Sequence, residues 1–232
     1  TMAPPLLVGA FVILAGPHGY GIPEIQRYLP MADRHTVAVP GCLEGRPTPT
    51  DPSLCFMNDS ARGQPIYLLG DSHAQHFAEA ASDAALFLGR PIAVYTQPGC
   101  SLNPVYTEEF GKPYTACAQY VDRTLSWLEA QPPGVVVISA MDDYYSDAGV
   151  ISLGPTPELA TFDPVQKTAY LQDGLISAIQ RIQASGHRVV LVQAVPGLPG
   201  WDPASCSTLS ILNSTCLPES FPQVIADEDQ KL

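Results

Sequence analysis

Short uncharged runs alternate along this chain with segments whose apolar residues recur every three or four positions. Pro65-Ile66-Tyr67-Leu68-Leu69 is a continuous apolar run closed by Gly70, the pattern of a strand buried on both faces. Phe77, Ala80, Ala81, Ala84 and Leu88 then follow at helical spacing up to Gly89, which predicts a helix with one apolar face. Ile92-Ala93-Val94-Tyr95 reads as a second strand. Tyr120, Val121, Thr124, Leu125 and Leu128 form a second helical stripe that stops before Pro132 and Pro133. Val135-Val136-Val137-Ile138-Ser139 is β-branched and uncharged, as expected of a central strand. After a long loop, Asp163, Pro164 and Gln166 supply a helix start: an N-cap carboxylate, proline in the first helical position and glutamine at the third. Leu171, Leu175, Ile179 and Ile182 line the buried face of that helix until Gly186, and Arg188 to Val192 is a fourth strand before Pro196.

Four strands alternating with three helices predict an α/β fold: a three-layer parallel sheet with helices on both faces, because right-handed crossovers place helices on each side. The chain ends at Leu232 without a further strand, so the expected sheet is incomplete at its C-terminus. The 24 prolines and 18 glycines fall mostly between the apolar runs and punctuate loops of a folded domain. Residues 1–21 carry the apolar run Leu6 to Ala15, about half of the roughly 20 residues a spanning helix requires. It reads either as the remnant of a membrane helix or as an ordinary core segment. Residues 22–63 read as a disulfide-stapled linker, and 64–232 as the main domain.

Charge and cysteine usage narrow the setting. With 23 acidic against 11 basic side chains the net charge is −12, which repels phosphate backbones and anionic membrane surfaces. Nucleic acid is therefore excluded as an expected partner. Six cysteines fall into three neighbouring pairs, Cys42 with Cys55, Cys100 with Cys117, and Cys206 with Cys216, none at zinc-knuckle or redox-dithiol spacing. If bridged as neighbours, each would close a short loop and contribute on the order of 3 kcal/mol, placing the chain outside the cytosol. Six separate buried thiols are the alternative. No metal or organic cofactor is implied.

Open parallel sheets bind ligands beyond the carboxyl ends of their strands, and Gly70-Asp71-Ser72-His73 stands there. A serine at such a turn lies beside the unpaired amide hydrogens of the following helix. Such donors typically contribute about 2.7 to 4 kcal/mol each to an acyl-transfer transition state. This block, with the Ile66 to His76 segment around it, the Pro98-Gly99-Cys100 turn with its later Cys117, and the Val135 to Ala140 strand exit, resembles the SGNH superfamily. The resemblance is closer to the exported SGNH tails fused to membrane-bound O-acyltransferases of acyltransferase family three. It implies that Ser72 attacks an ester carbonyl, that the amides of Ser72 and Gly99 form the oxyanion hole, and that Asp71 fixes the turn.

The chain departs from that pattern twice. The third strand exits through Ser139-Ala140-Met141-Asp142, without the asparagine that SGNH hydrolases place there. The acyltransferase-linked tails commonly lack it too, which favours transfer over hydrolysis. The family's Asp-x-x-His block, which supplies the general base, does not occur before Leu232. Serine without a base is a poor nucleophile, so these residues alone are expected to be nearly inactive. His73 is read as supporting the site or touching substrate rather than as the base, and His76 as a partly exposed helix residue. His18, His35 and His187 are read as incidental. Met141 to Tyr145, with Asp142 and Tyr144, reads either as a rim for a sugar acceptor, tyrosine rings offering apolar faces, or as a solvated acidic loop. Trp127 reads as packing; Trp201 has no assigned role.

The function expected from these readings is the extracytoplasmic, membrane-tethered part of an O-acyltransferase. It would move an acetyl or short acyl group from an acyl donor to a cell-envelope carbohydrate, with membrane attachment through the N-terminal segment or a fused membrane domain. A secreted SGNH esterase and a catalytically inactive glycan-binding module are the alternatives.

Overall fold

The apolar runs form the strands, and the sheet takes its order from them. The computed structural model describes residues 51–59, 61–141 and 149–193, all within the unit Thr36–Ala194. A 3-10 turn, Pro52–Cys55, leads into β1 (Phe56–Met57). There follow β2 (Ile66–Gly70), α1 (Ser72–His76), α2 (Ala78–Phe87), β3 (Ile92–Thr96), β4 (Tyr106–Glu109), β5 (Lys112–Pro113), α3 (Thr115–Glu129) and β6 (Val135–Ser139). Then come β7 (Ile151–Gly154), the 3-10 turn Pro157–Leu159, α4 (Pro164–Ala184) and β8 (Arg188–Val192).

The main sheet has the order β1-β3-β2-β6-β8. The last four strands run parallel, and β1 pairs antiparallel at the β3 edge. Successive side chains on a strand point to opposite faces, and the sequence uses both. Tyr67, Leu69, Ala93, Tyr95, Val136 and Ile138 pack with Tyr120, Leu125, Ala178 and Ile182 from α3 and α4. On the other face Leu68, Ile92 and Val94 meet Ala74, Ala78 and Ala85, small side chains that bring α1 and α2 close to the strands. This is the three-layer arrangement expected from the sequence. The third helix starts as read: Asp163 caps it by accepting from the Gln166 amide at 2.9 Å.

Four features differ from the sequence reading. Of the stripe expected after β2, Ala80, Ala84 and Leu88 are exposed, and the side chains buried there are Ala74, Ala78 and Ala85. Phe56–Met57, inside the segment read as linker, joins the sheet edge. The expected long helix after β2 is broken at Phe77, whose amide turns back to Ala74 and Gln75 carbonyls, so the helix that follows Ser72 is one short piece. Stretches read as loops hold a second, antiparallel sheet of order β5-β4-β7. Its hairpin signal was hidden because the two turn residues are Phe110 and Gly111, both at positive φ (51° and 71°), where asparagine or glycine is usual. This small sheet is assembled from the two excursions that leave the carboxyl ends of β3 and β6, so it grows from the edge of the main sheet where the Gly70-Asp71-Ser72 turn lies.

Candidate functional site

Strand register brings the Gly70-Asp71-Ser72-His73 block and the Pro98-Gly99-Cys100 turn to one edge. Gly70 pairs with Thr96 on one side and Ser139 on the other. The Ser72 turn, the Gln97–Cys100 turn and the Met141 exit therefore leave the sheet side by side. Gly70 has φ +139°, and a Cβ there would lie 1.8 Å from the Ser139 carbonyl oxygen. Only glycine permits both the backbone conformation and the close approach.

Asp71 is 2% exposed and spans two loops. Its Oδ1 accepts from the His73 amide at 2.7 Å and its Oδ2 from the Met141 amide at 2.9 Å. The carboxylate thus caps α1 and ties it to the exit of β6. Ser72, the first residue of α1, is half-buried. Among the described residues neither its hydroxyl nor its amide hydrogen has a hydrogen-bond partner.

The Gln97–Cys100 segment is a β-turn closed by the Cys100 amide on the Gln97 carbonyl at 3.0 Å, with Pro98 and Gly99 (φ +70°) as its central residues. Proline followed by a residue of positive φ is the type II pattern. The Gly99 amide hydrogen also lacks an acceptor among the described residues. The turn is held from α3 by a disulfide between Cys100 and Cys117, Cα atoms 5.3 Å apart, and by Tyr114, whose hydroxyl donates to the Pro98 carbonyl at 3.1 Å.

Beneath the two turns lies Tyr120, fully buried. Its hydroxyl accepts from the Gly70 amide at 3.1 Å, with the Tyr95 carbonyl at 2.9 Å and the Gly70 carbonyl at 3.1 Å as acceptors for its one proton. The Gly70 carbonyl also accepts from the Gln97 amide at 3.0 Å. One phenol therefore joins the carboxyl ends of β2 and β3, and burial raises its pKa well above the usual phenolic value. Sequence reading placed Tyr120 in the core stripe but missed this polar function, because periodicity reports which face a side chain is on and not where its hydroxyl ends.

The histidines separate. His73 Nδ1 lies 3.6 Å from Asp71 Oδ1, beyond hydrogen-bond range, and its ring is tilted against His76 at 5.6 Å between centroids. His187, read as incidental, is instead a buried structural bridge at the opposite end of the sheet. Its Nδ1 accepts from the Gly134 amide at 3.2 Å, which leaves the proton on Nε2 to donate to the Leu128 carbonyl at 2.9 Å. Trp127 packs edge-on against Tyr67 at 5.5 Å. Asp142, Tyr144, Trp201, His18, His35, Cys42, Cys206, Cys216 and residues 1–21 lie outside the described residues. Cys55 is disulfide-bonded. Among the described residues no cluster of three metal-ligating side chains occurs, and no helix is long and apolar enough to cross a membrane.

A doubly wound sheet whose serine turn and glycine turn share one open edge defines an SGNH-type α/β domain. The family comparison names it: residues 41–231 match the model described as the SGNH domain (fused to AT3 domains), and the chain belongs to that family. No curated protein matches the chain. Among solved structures, the periplasmic domain of a lipopolysaccharide acetyltransferase from Salmonella ser. Paratyphi A is similar at 16% identity and a TM-score of 0.43, over 76% of this chain and 60% of that one.

Proposed function

We propose that this domain acts outside the cytoplasm as part of a membrane-tethered O-acyltransferase, passing an acetyl or short acyl group to a cell-envelope carbohydrate through an acyl-enzyme on Ser72. Membership of a family fused to AT3 domains supports the association with acyl transfer. The disulfides at Cys55 and Cys100–Cys117 support an oxidising compartment. One observation carries the chemical reading: a half-buried serine hydroxyl stands at the sheet edge where two neighbouring turns carry amide hydrogens, on Ser72 and Gly99, that are unclaimed among the described residues. Attack by Ser72 Oγ on the ester carbonyl would form a C–O bond and place negative charge on the carbonyl oxygen, where those two N–H groups can receive it. Collapse would expel the donor's alcohol or thiol with the proton taken from Ser72. The carbohydrate hydroxyl would then attack the acyl-serine and restore the free side chain. Asp71 orients the turn by binding the His73 and Met141 amides. His73, and Asp142 and Tyr144 beyond the described residues, are proposed to border the acceptor.

The test uses the full-length protein with Ser72→Ala beside it. Wild type is expected to bind a serine-directed fluorophosphonate covalently and to accumulate acylated glycan. The variant should do neither, losing about four orders of magnitude in rate while unfolding at an unchanged temperature. Labelling retained by the variant would place the nucleophile elsewhere, and free acid as the sole product would refute transfer.

A further inference from the structure

The peptide that joins Pro98 to Gly99 has two ends with different partners. Its nitrogen carries the Gly99 amide hydrogen, which is open. Its carbonyl oxygen accepts from the Tyr114 hydroxyl at 3.1 Å and, at the longer distance of 3.5 Å, from the Gln97 side-chain amide. The central peptide of a type II turn reverses direction when the turn converts to type I, and glycine at the third position accepts either φ sign. A reversed peptide would exchange the directions of the Pro98 carbonyl and the Gly99 N–H while leaving the Cys100–Gln97 hydrogen bond in place. From within the turn only the Gln97 Nε2 reaches that carbonyl, at 3.5 Å, a long contact that holds the peptide weakly.

Tyr114 supplies what the turn lacks. It precedes α3 and is anchored from three directions. Its ring packs partly buried against the main core. Its amide donates to the Thr107 carbonyl at 2.8 Å, and its own carbonyl accepts from the Cys117 amide at 3.1 Å. Its hydroxyl oxygen is 3.6 Å from where a Cβ on Gly99 would stand, so the phenol lies directly against the turn. A hydrogen bond to a peptide carbonyl also polarises the N–H at the other end of the same unit.

We infer that Tyr114 is a positioning residue for the oxyanion site: by holding the Pro98 carbonyl it fixes the Pro98–Gly99 peptide in the orientation that aims the Gly99 amide beside Ser72. The inference rests on the acyl-enzyme reading and adds a residue outside the reacting groups. Tyr114→Phe removes the hydroxyl and keeps the ring, so packing survives while the peptide is freed.

The experiment measures p-nitrophenyl acetate turnover by the full-length protein as wild type, Tyr114→Phe, Ser72→Ala and Tyr106→Phe. Tyr106 is a control, since among the described residues its hydroxyl hydrogen-bonds only to Glu108, at 3.3 Å. Tyr114→Phe is expected to lower kcat by about tenfold, a fraction of the hundredfold or more lost with a whole oxyanion donor. KM and the unfolding temperature should be nearly unchanged, and the Gly99 amide should show altered hydrogen exchange. Tyr106→Phe should match wild type. Wild-type kcat in Tyr114→Phe with Ser72→Ala inactive would overturn the inference alone. A fall in kcat matched by an equal loss of folded protein would also overturn it, leaving a merely structural tyrosine. Turnover retained by Ser72→Ala would instead remove the acyl-enzyme reading beneath it.

Discussion

The two ends of the same parallel sheet are each organised around a buried tyrosine, and they differ in what is left over. At the amino end Tyr67, fully buried, donates to the Pro132 carbonyl at 2.8 Å. Its ring stands edge-on to His187 at 5.3 Å and to Trp127 at 5.5 Å. His187 in turn uses both ring nitrogens on backbone groups. The polar groups there satisfy one another, and an open hollow of about 350 Å³ is lined by the Tyr67 ring with Phe56, Pro65, Pro91 and Pro132, and by Asp59, Gly63 and Gln131. At the carboxyl end Tyr120 joins β2 to β3 in the same manner, yet the turns above it keep the Ser72 and Gly99 amides unclaimed. Closure at one end gives stability. Incomplete satisfaction at the other leaves the N–H groups that the proposed acyl transfer would use to receive negative charge.

If that contrast is correct, substitutions at the amino end should lower stability and spare the chemistry of each folded molecule. The largest effect is expected for Tyr67→Ala. Deleting a fully buried aromatic ring leaves a cavity and unpairs Pro132, a loss of about 4 kcal/mol, read as a lower urea midpoint. Fluorophosphonate labelling per folded molecule should stay at the wild-type rate; a specific loss of labelling would erase the distinction between the ends. His187→Ala comes next, at about 3 kcal/mol, because it strands the buried Gly134 N–H without a partner, leaves the Leu128 carbonyl with the Gln131 amide alone, and empties the space beside Tyr67. Urea unfolding checks it, and a change below about 0.5 kcal/mol would show that water or backbone adjustment replaces the ring.

Much of this contrast was legible in the sequence, and the illegible part has definite causes. Periodicity located β2, β3, β6 and the two long helices because each buries a face or stripe; β8 was legible from its β-branched run, although Val190 and Leu191 are exposed among the described residues. The Gly70-Asp71-Ser72 turn was legible because a parallel strand followed by a helix places its junction at the ligand edge. The small sheet was not, since Tyr106-Thr107-Glu108-Glu109 lacks apolar alternation and Phe110 is an unusual hairpin residue. The roles of Tyr114, Tyr120 and His187 were equally hidden. Each depends on a polar atom meeting backbone brought from another strand or turn, and no local pattern encodes such a meeting.

At the carboxyl end the smaller effects should fall on activity. Asp71→Asn keeps the shape but offers one acceptor oxygen where the carboxylate offers two, so its amide group faces either the His73 or the Met141 N–H, donor against donor. Stability should drop by about 2 kcal/mol and labelling of Ser72 should slow about tenfold, as the turn loses its tie to β6. Labelling at the wild-type rate would mean that Gly70 and Tyr120 alone hold the serine turn.

The smallest effect at neutral pH concerns the two phenols themselves, and it tests whether Tyr67 and Tyr120 are as closed to solvent as their packing implies. Burial pushes the Tyr67 phenol up to about 12 and raises Tyr120 as well, whereas an unfolded tyrosine ionises near about 10. Below that value both states are protonated and the groups contribute no pH dependence. Between it and the folded values the unfolded chain releases protons that the native chain retains, so stability falls as pH rises. Alkaline titration followed by phenolate absorbance and circular dichroism should show the exposed tyrosines ionising first, with Tyr67 and Tyr120 following only as structure is lost. Tyr67→Phe should remove part of the late absorbance step. If that step instead appears with the early tyrosines while the fold is intact, the amino end is open to water and the contrast between the two ends fails.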